Sequence, residues 1–82
     1  MFYTYILYSE RLDKFYIGST ENVENRLVQH NIGAVKFTSR GIPWLLKHTE
    51  VHPDRTSAMK REYEIKRKKS RKYIEWIIAQ KK

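Results

Sequence analysis

The chain opens on seven residues without a charge, a glycine or a proline, Phe2-Tyr3-Thr4-Tyr5-Ile6-Leu7-Tyr8, in a protein of which 32% of residues are charged. Aromatic and β-branched side chains suit a pleated, half-buried surface, so this run reads as a strand. Ser9 to Asp13 is a polar connector of hairpin length, and Lys14 to Gly18 supplies a second short strand. Antiparallel pairing across that connector sets Tyr5 near Tyr16. A one-residue slip would put the two rings on opposite faces.

The rest of the chain follows from its punctuation. Ser19-Thr20 offers a helix N-cap, with Glu21 and Glu24 at the positive end of the helix dipole. That helix is expected to run to about His30 and to stop near Asn31 and Gly33. Ala34 to Pro43 reads as a loop, and Trp44 to Val51 as a third strand. After a turn at His52-Pro53-Asp54, Thr56 or Asp54 caps a second helix through about Lys68. Ser70 caps a last helix that carries Tyr73, Ile74, Ile77 and Ile78 on one face. The expected fold is α+β: a small three-stranded antiparallel sheet with flanking helices, in the order β-β-α-β-α-α.

A length of 82 residues makes one domain, residues 1–82, the natural expectation. A domain of that size buries only about 60% of its unfolded surface, so core positions are scarce. With no cysteine in the chain, neither a disulfide nor a thiolate-bound zinc staples the fold. The opening apolar run is too short for a signal peptide, and no stretch reaches the roughly 18 apolar residues of a membrane span. A soluble, cytoplasmic protein is expected.

There are 17 Lys and Arg against 9 Asp and Glu, giving a net charge of +8 and a pI near 9.9. Such an excess favours an anionic partner, nucleic acid first and an anionic membrane surface second. Solvated surface lysines explain the same numbers about as well. Composition therefore decides little without a site.

The site is suggested by polar groups on apolar stripes. Val23, Arg26, Leu27 and His30 fall at i, i+3, i+4 and i+7 of the first helix. Val23 and Leu27 are then the buried contacts, with Arg26 and His30 along the rim. Ala58, Glu62 and Ile65 repeat the pattern in the second helix, whereas Glu64 faces elsewhere. Taken singly, an arginine at a helix margin is usually snorkelling, and a lone histidine is usually a satisfied core residue. Glu62 also has a plain structural reading as an ion-pair partner of Arg26. The set is more telling: two tyrosines, an arginine, a histidine and an acid expected on one sheet surface of a basic protein. Together they offer a phosphate clamp, a proton acceptor and a hard-metal ligand.

In that order and spacing the residues resemble the GIY-YIG nuclease family, in particular its small stand-alone bacterial members of the UPF0213 type. The resemblance covers nearly the whole chain. Tyr3-Thr4-Tyr5 stands at the first motif, without its Gly and Ile, and Tyr16-Ile17-Gly18 matches the second letter for letter. Arg26 follows ten residues after Tyr16, then His30-Asn31. Ala58, Glu62, Ile65 and Lys66 resemble the metal-ligand helix. Ser19 stands where some members carry a lysine, and no asparagine follows Asn31.

The resemblance implies hydrolysis of nucleic-acid phosphodiesters, DNA in preference to RNA, with one divalent ion, Mg²⁺ or Mn²⁺, held by Glu62. Arg26 would brace the charge developing on the phosphoryl group. One tyrosine would be, or would position, the base for the attacking water, Tyr5 slightly favoured over Tyr16. A free phenol has a pKa of about 10, so that role needs electrostatic help. His30 would relay a proton or assist the leaving group. The run Lys66, Arg67, Lys68, Lys69, Arg71 and Lys72 reads as a solvated joint between two helices. Functionally it would track a phosphate backbone, with Lys36 and Arg40 extending the track. His48 and His52 are not expected to bind metal.

The leading expectation is thus a metal-dependent endonuclease, with selectivity for branched, flap or nicked DNA in repair or recombination. The main alternative is a non-catalytic nucleic-acid-binding module of the same fold. A structural role in a ribonucleoprotein rests on size and charge alone.

Overall fold

In a computed structural model, which describes residues 1–80, the uncharged opening run becomes the central strand. β1 (Phe2–Ser9) lies between β2 (Lys14–Thr20) and β3 (Trp44–His52), antiparallel to both. A strand with no charged side chain suits a place where both faces are covered. Tyr5, Ile6 and Leu7 are accordingly buried, and so are Thr4 and Ser9. Their hydroxyls are satisfied: Thr4 Oγ1 donates to the Ala58 carbonyl at 2.9 Å, and Ser9 Oγ accepts from the Leu12 amide at 3.1 Å. A bulge between Ile6 and Leu7 shifts the β1–β3 register.

The helices are α1 (Val23–Asn31), α2 (Arg55–Lys68) and α3 (Arg71–Ala79), so the order is β-β-α-β-α-α as expected. Strand alternation sorts the core into two parts. On one face Tyr5, Leu7 and Trp44 pack with Tyr16, Leu27 and Ile42, beneath α1 and the loop that follows it. On the other, Ile6 and Ile17 meet Ile65 of α2 and Ile77 of α3, with Tyr73, Ile74 and Ile78 packed alongside. The expected apolar stripe of α3 is therefore in place.

Several local expectations change. Ser19 and Thr20 do not cap α1, because both stay in β2, paired with Thr4 and Tyr3. Asn22 is the cap, its side chain accepting from the Asn25 amide at 2.9 Å. Of the two candidates for α2, Asp54 is the cap and bonds the Ser57 amide at 2.8 Å. The loop after α1 contains a 3₁₀ helix over Lys36–Gly41. The basic joint is shorter than expected: Lys66, Arg67 and Lys68 form the last turn of α2, where cations complement the helix dipole. Lys69, in the left-handed conformation, and Ser70 alone link it to α3.

Helix α1 reverses its expected burial. Val23 and Leu27 are half-buried, while His30 is fully buried. The reason is hydrogen bonding, described below. A network on Arg61 ties the second layer together: its guanidinium bonds Glu50 of β3 at 2.8 Å, Glu64 at 2.8 Å and Tyr73 of α3 at 3.3 Å. His48 and His52 serve structure, bonding Glu50 at 2.9 Å and Thr4 at 3.1 Å.

Candidate active site

Tyr16 is the hub of the site. It leaves the middle of β2 on the α1 side of the sheet, half-buried, with its ring centroid 6.4 Å from that of Tyr5 and 5.1 Å from that of His30. Trp44 at 6.2 Å and Phe37 at 6.1 Å complete its surround. In register, Tyr5 faces Gly18 and Tyr16 faces Leu7, so the two tyrosines are diagonal neighbours on one face. The motif glycine is explained by that diagonal. A Cβ on Gly18 would meet the Tyr5 hydroxyl at 2.5 Å and the adjoining ring carbon at 2.6 Å. Only a bare backbone lets the Tyr5 ring cross β2.

Tyr5 is 2% exposed and ends on His30, its hydroxyl 3.0 Å from Nε2. His30 Nδ1 lies 2.7 Å from Thr38 Oγ1, which donates to the Val35 carbonyl at 3.3 Å. One proton arrangement satisfies the whole chain. Tyr5 O–H donates to Nε2, Nδ1–H donates to Thr38, and Thr38 O–H donates to Val35, so His30 is neutral with its proton on Nδ1. Burial, then the nearby Arg26 charge, lowers the His30 pKa and keeps it so. Burial raises the Tyr5 pKa, against an opposing hydrogen bond and charge from Arg26. Arg26 is half-buried and also donates to Gln29 Oε1 at 2.9 Å.

Glu62 does not share the tyrosines' sheet face. It sits on α2, which packs against the opposite face through Ala58 and Ile65, because Thr4, Ile6, Ile17 and Ser19 point that way. It reaches the site around edge strand β2, where its Oε1 accepts from Ser19 Oγ at 2.8 Å. Its Oε2 pairs with Lys66 Nζ at 2.6 Å, not with Arg26. That same ammonium lies 5.8 Å from the centroid of the Tyr16 ring. The site thus wraps one edge of the sheet, and Lys66 belongs to it directly.

The other basic residues divide. Lys36 and Arg40 are exposed on the 3₁₀ helix beside Phe37, and no ion pair engages them among the described residues. Arg71 braces the β1–β2 turn, bonding Asp13 at 2.8 Å and Glu75 at 3.1 Å and lying over the Phe15 ring. Arg67 and Lys68 lie over Tyr63 and Tyr73, and Lys69 and Lys72 are exposed.

Sequence reasoning missed the roles of Ser19, Thr38 and Asn31. Asn31 clamps both backbone groups of Trp44, at 2.6 Å and 3.1 Å, and so docks α1 on β3. Nothing local in the sequence signals those distant partners.

For a divalent ion the only candidate at this site is Glu62. Among the described residues no three His, Cys, Asp or Glu side chains converge. A lone, partly exposed carboxylate suits a hard ion that keeps waters and takes substrate oxygens, as Mg²⁺ does. Lys66 Nζ, 2.6 Å from Oε2, shows that this carboxylate accepts a cation, and an ion bound there would displace it.

Residues 1–74 match the family model described as the GIY-YIG catalytic domain. A UPF0213 protein of Bacillus licheniformis is 39% identical over 77 residues, 89% of this chain and 78% of that protein. One from Natronomonas pharaonis is 42% identical over 65 residues, 78% and 75% of the two chains. The solution structure of a UPF0213 protein from Bacillus halodurans superposes with a TM-score of 0.62 at 34% identity, covering 99% of this chain and 86% of that one. Matched to that family model over residues 1–74 and to these relatives over most of their length, the chain belongs to the GIY-YIG nuclease family, alongside its UPF0213 proteins.

Proposed function

We propose that the protein is a metal-dependent endonuclease that hydrolyses phosphodiester bonds in DNA, with Tyr16 as the residue that accepts the proton of the attacking water. The observation that carries this reading is the placement of Tyr16, half-buried between the Tyr5–His30 pair and the Lys66–Glu62 pair. Tyr5 suits the role less well. It is closed off from solvent, its burial raises its pKa, and its proton is engaged by His30. The pair holds the floor of the site, and His30, fully buried with both ring nitrogens engaged, positions Tyr5 in place of the expected proton relay or leaving-group assistance.

With Tyr16 acting as the phenolate, water attacks the phosphorus and passes one proton to the Tyr16 oxygen, which becomes the phenol. The bond to the leaving sugar oxygen breaks, and that oxygen takes a proton from a solvent water. Arg26 stabilises the charge that develops on the phosphoryl oxygens, in a setting where it costs no reorganisation. An ion such as Mg²⁺ or Mn²⁺, held by Glu62, would supply Lewis acidity to the phosphate and the leaving oxygen. A cytoplasmic setting, and repair or recombination of branched, flap or nicked DNA, go with this reading.

One observation favours the second reading, a binding module without turnover: both Glu62 oxygens already have protein partners. An assay separates the two. Purified protein is incubated with nicked, flap and branched DNA and Mg²⁺ or Mn²⁺. Cleavage that disappears in Glu62→Gln supports the enzyme. No cleavage of any substrate, or cleavage indifferent to that substitution, leaves the binding module.

A further inference from the structure

We propose that Phe37 is a stacking platform for an unpaired nucleobase beside the scissile phosphate, so that the site takes a strand unpaired at the cut. The proposal rests on the reading that Tyr16 faces that phosphate. Phe37 is 85% exposed, more than any other large apolar side chain among the described residues. An aromatic ring so placed usually marks slack chain or a contact surface. Here the chain is not slack.

Phe37 rides on the 3₁₀ helix between Lys36 and Thr38, and that helix is sewn to the core. Thr38 is buried, bonded to His30 at 2.7 Å, and its carbonyl accepts from Trp44 Nε1 at 2.7 Å. At the far end Gly41 is buried against Trp44, where a Cβ would collide with the indole. The backbone that carries the ring is therefore held, and the ring stands with its centroid 6.1 Å from that of Tyr16 and most of its surface open.

Charge selects the occupant. Lys36 and Arg40 lie beside the plate on the same 3₁₀ helix, exposed, and Lys66 Nζ is 5.8 Å from the centroid of the neighbouring Tyr16 ring. An apolar plate within a cationic rim matches a nucleic-acid strand, whose phosphates meet the cations while a base stacks on the ring. A paired base has both faces covered by its neighbours in the duplex. It reaches such a plate only when unpaired or flipped out. The plate thus selects for flaps, tails or strand junctions over continuous duplex, by stacking and without base readout.

The test measures binding in chelator, so a protein that never cleaves answers it equally well. Wild type, Phe37→Ala, Phe37→Trp and Trp76→Ala are titrated with a duplex and with the same duplex bearing a single-stranded tail. The tail carries 2-aminopurine, whose fluorescence is quenched on stacking. Trp76, 57% exposed on α3, is the control aromatic. Phe37→Ala should weaken the tailed substrate about tenfold, remove its quenching and move duplex binding by less than about twofold. Phe37→Trp should restore both, and Trp76→Ala should change neither. Equal loss on both substrates, no loss on either, or no recovery in Phe37→Trp overturns the proposal. An unchanged affinity would assign the exposed ring to a protein contact instead. Failed cleavage in the metal assay, with the tailed preference intact, would remove the nuclease reading and leave the platform standing.

Discussion

The ring of Tyr5 lies across Gly18, so close that a Cβ there would stand 2.5 Å from the phenol oxygen. Space, not backbone freedom, makes this glycine necessary. Gly18→Ala must push Tyr5 off His30 or bend β2. We expect a loss of about 1–3 kcal/mol, the usual cost of overfilling a packed core. Urea unfolding measures it, and an unchanged midpoint would contradict the packing described.

The two tyrosines should separate in kinetics. Tyr16→Phe should slow DNA cleavage by roughly 10²–10⁴-fold, the usual weight of a positioned proton acceptor, with little change in stability. Tyr5→Phe should keep most of the rate and destabilise by about 1–3 kcal/mol, since His30 Nε2 loses its buried donor. The opposite order would return the role of base to Tyr5.

His30 makes stability depend on pH. Its folded pKa is lowered, by burial first and by the Arg26 charge second, so protons bind the unfolded chain more readily. The stability this adds is complete above about pH 6.5, the ordinary value for histidine, and drains away as pH falls from there through the lowered folded value. A second loss follows in more acid solution. Burial works to raise Glu50, but the Arg61 and His48 hydrogen bonds outweigh it and hold it below its ordinary 4.5. Denaturation curves across this range should show both steps in the wild type. His30→Gln, although less stable at neutral pH, should lack the first; a first step of equal size in that variant would place it elsewhere.

Salt should expose which cations meet phosphate. Each phosphate contact contributes about 0.9 to the slope of log affinity against log salt on duplex DNA. Lys36→Ala and Arg40→Ala should each flatten the slope by roughly that amount. Arg71→Ala should leave the slope alone, because its guanidinium is spent on Asp13 and Glu75. That substitution should instead loosen the β1–β2 turn. A flattened slope with Arg71→Ala would put it back among the phosphate contacts.

Much of this molecule is local in origin. The uncharged run at residues 2–8 names its own strand, and its lack of charge suits the centre of the sheet. The i, i+3, i+4, i+7 stripe marks α1 and the i, i+4, i+7 stripe α2, and Asp54 and Ser70 cap helices where short polar side chains precede helical periods. Arg26, His30 and Glu62 drew notice in the sequence because polar groups on apolar stripes are costly without partners, and Tyr5 and Tyr16 because two short strands pair them.

Tertiary structure decided where the members of that set stand. Periodicity says which side of an element is apolar but not which layer that side meets, so Glu62 arrives from the face opposite the tyrosines. A buried histidine needs partners for both ring nitrogens. They come from Tyr5, 25 residues away, and from Thr38 on a 3₁₀ helix that no local pattern announces. The opening strand was therefore readable by itself, whereas the space over Gly18 that Tyr5 fills exists only once β1 and β2 are paired in register.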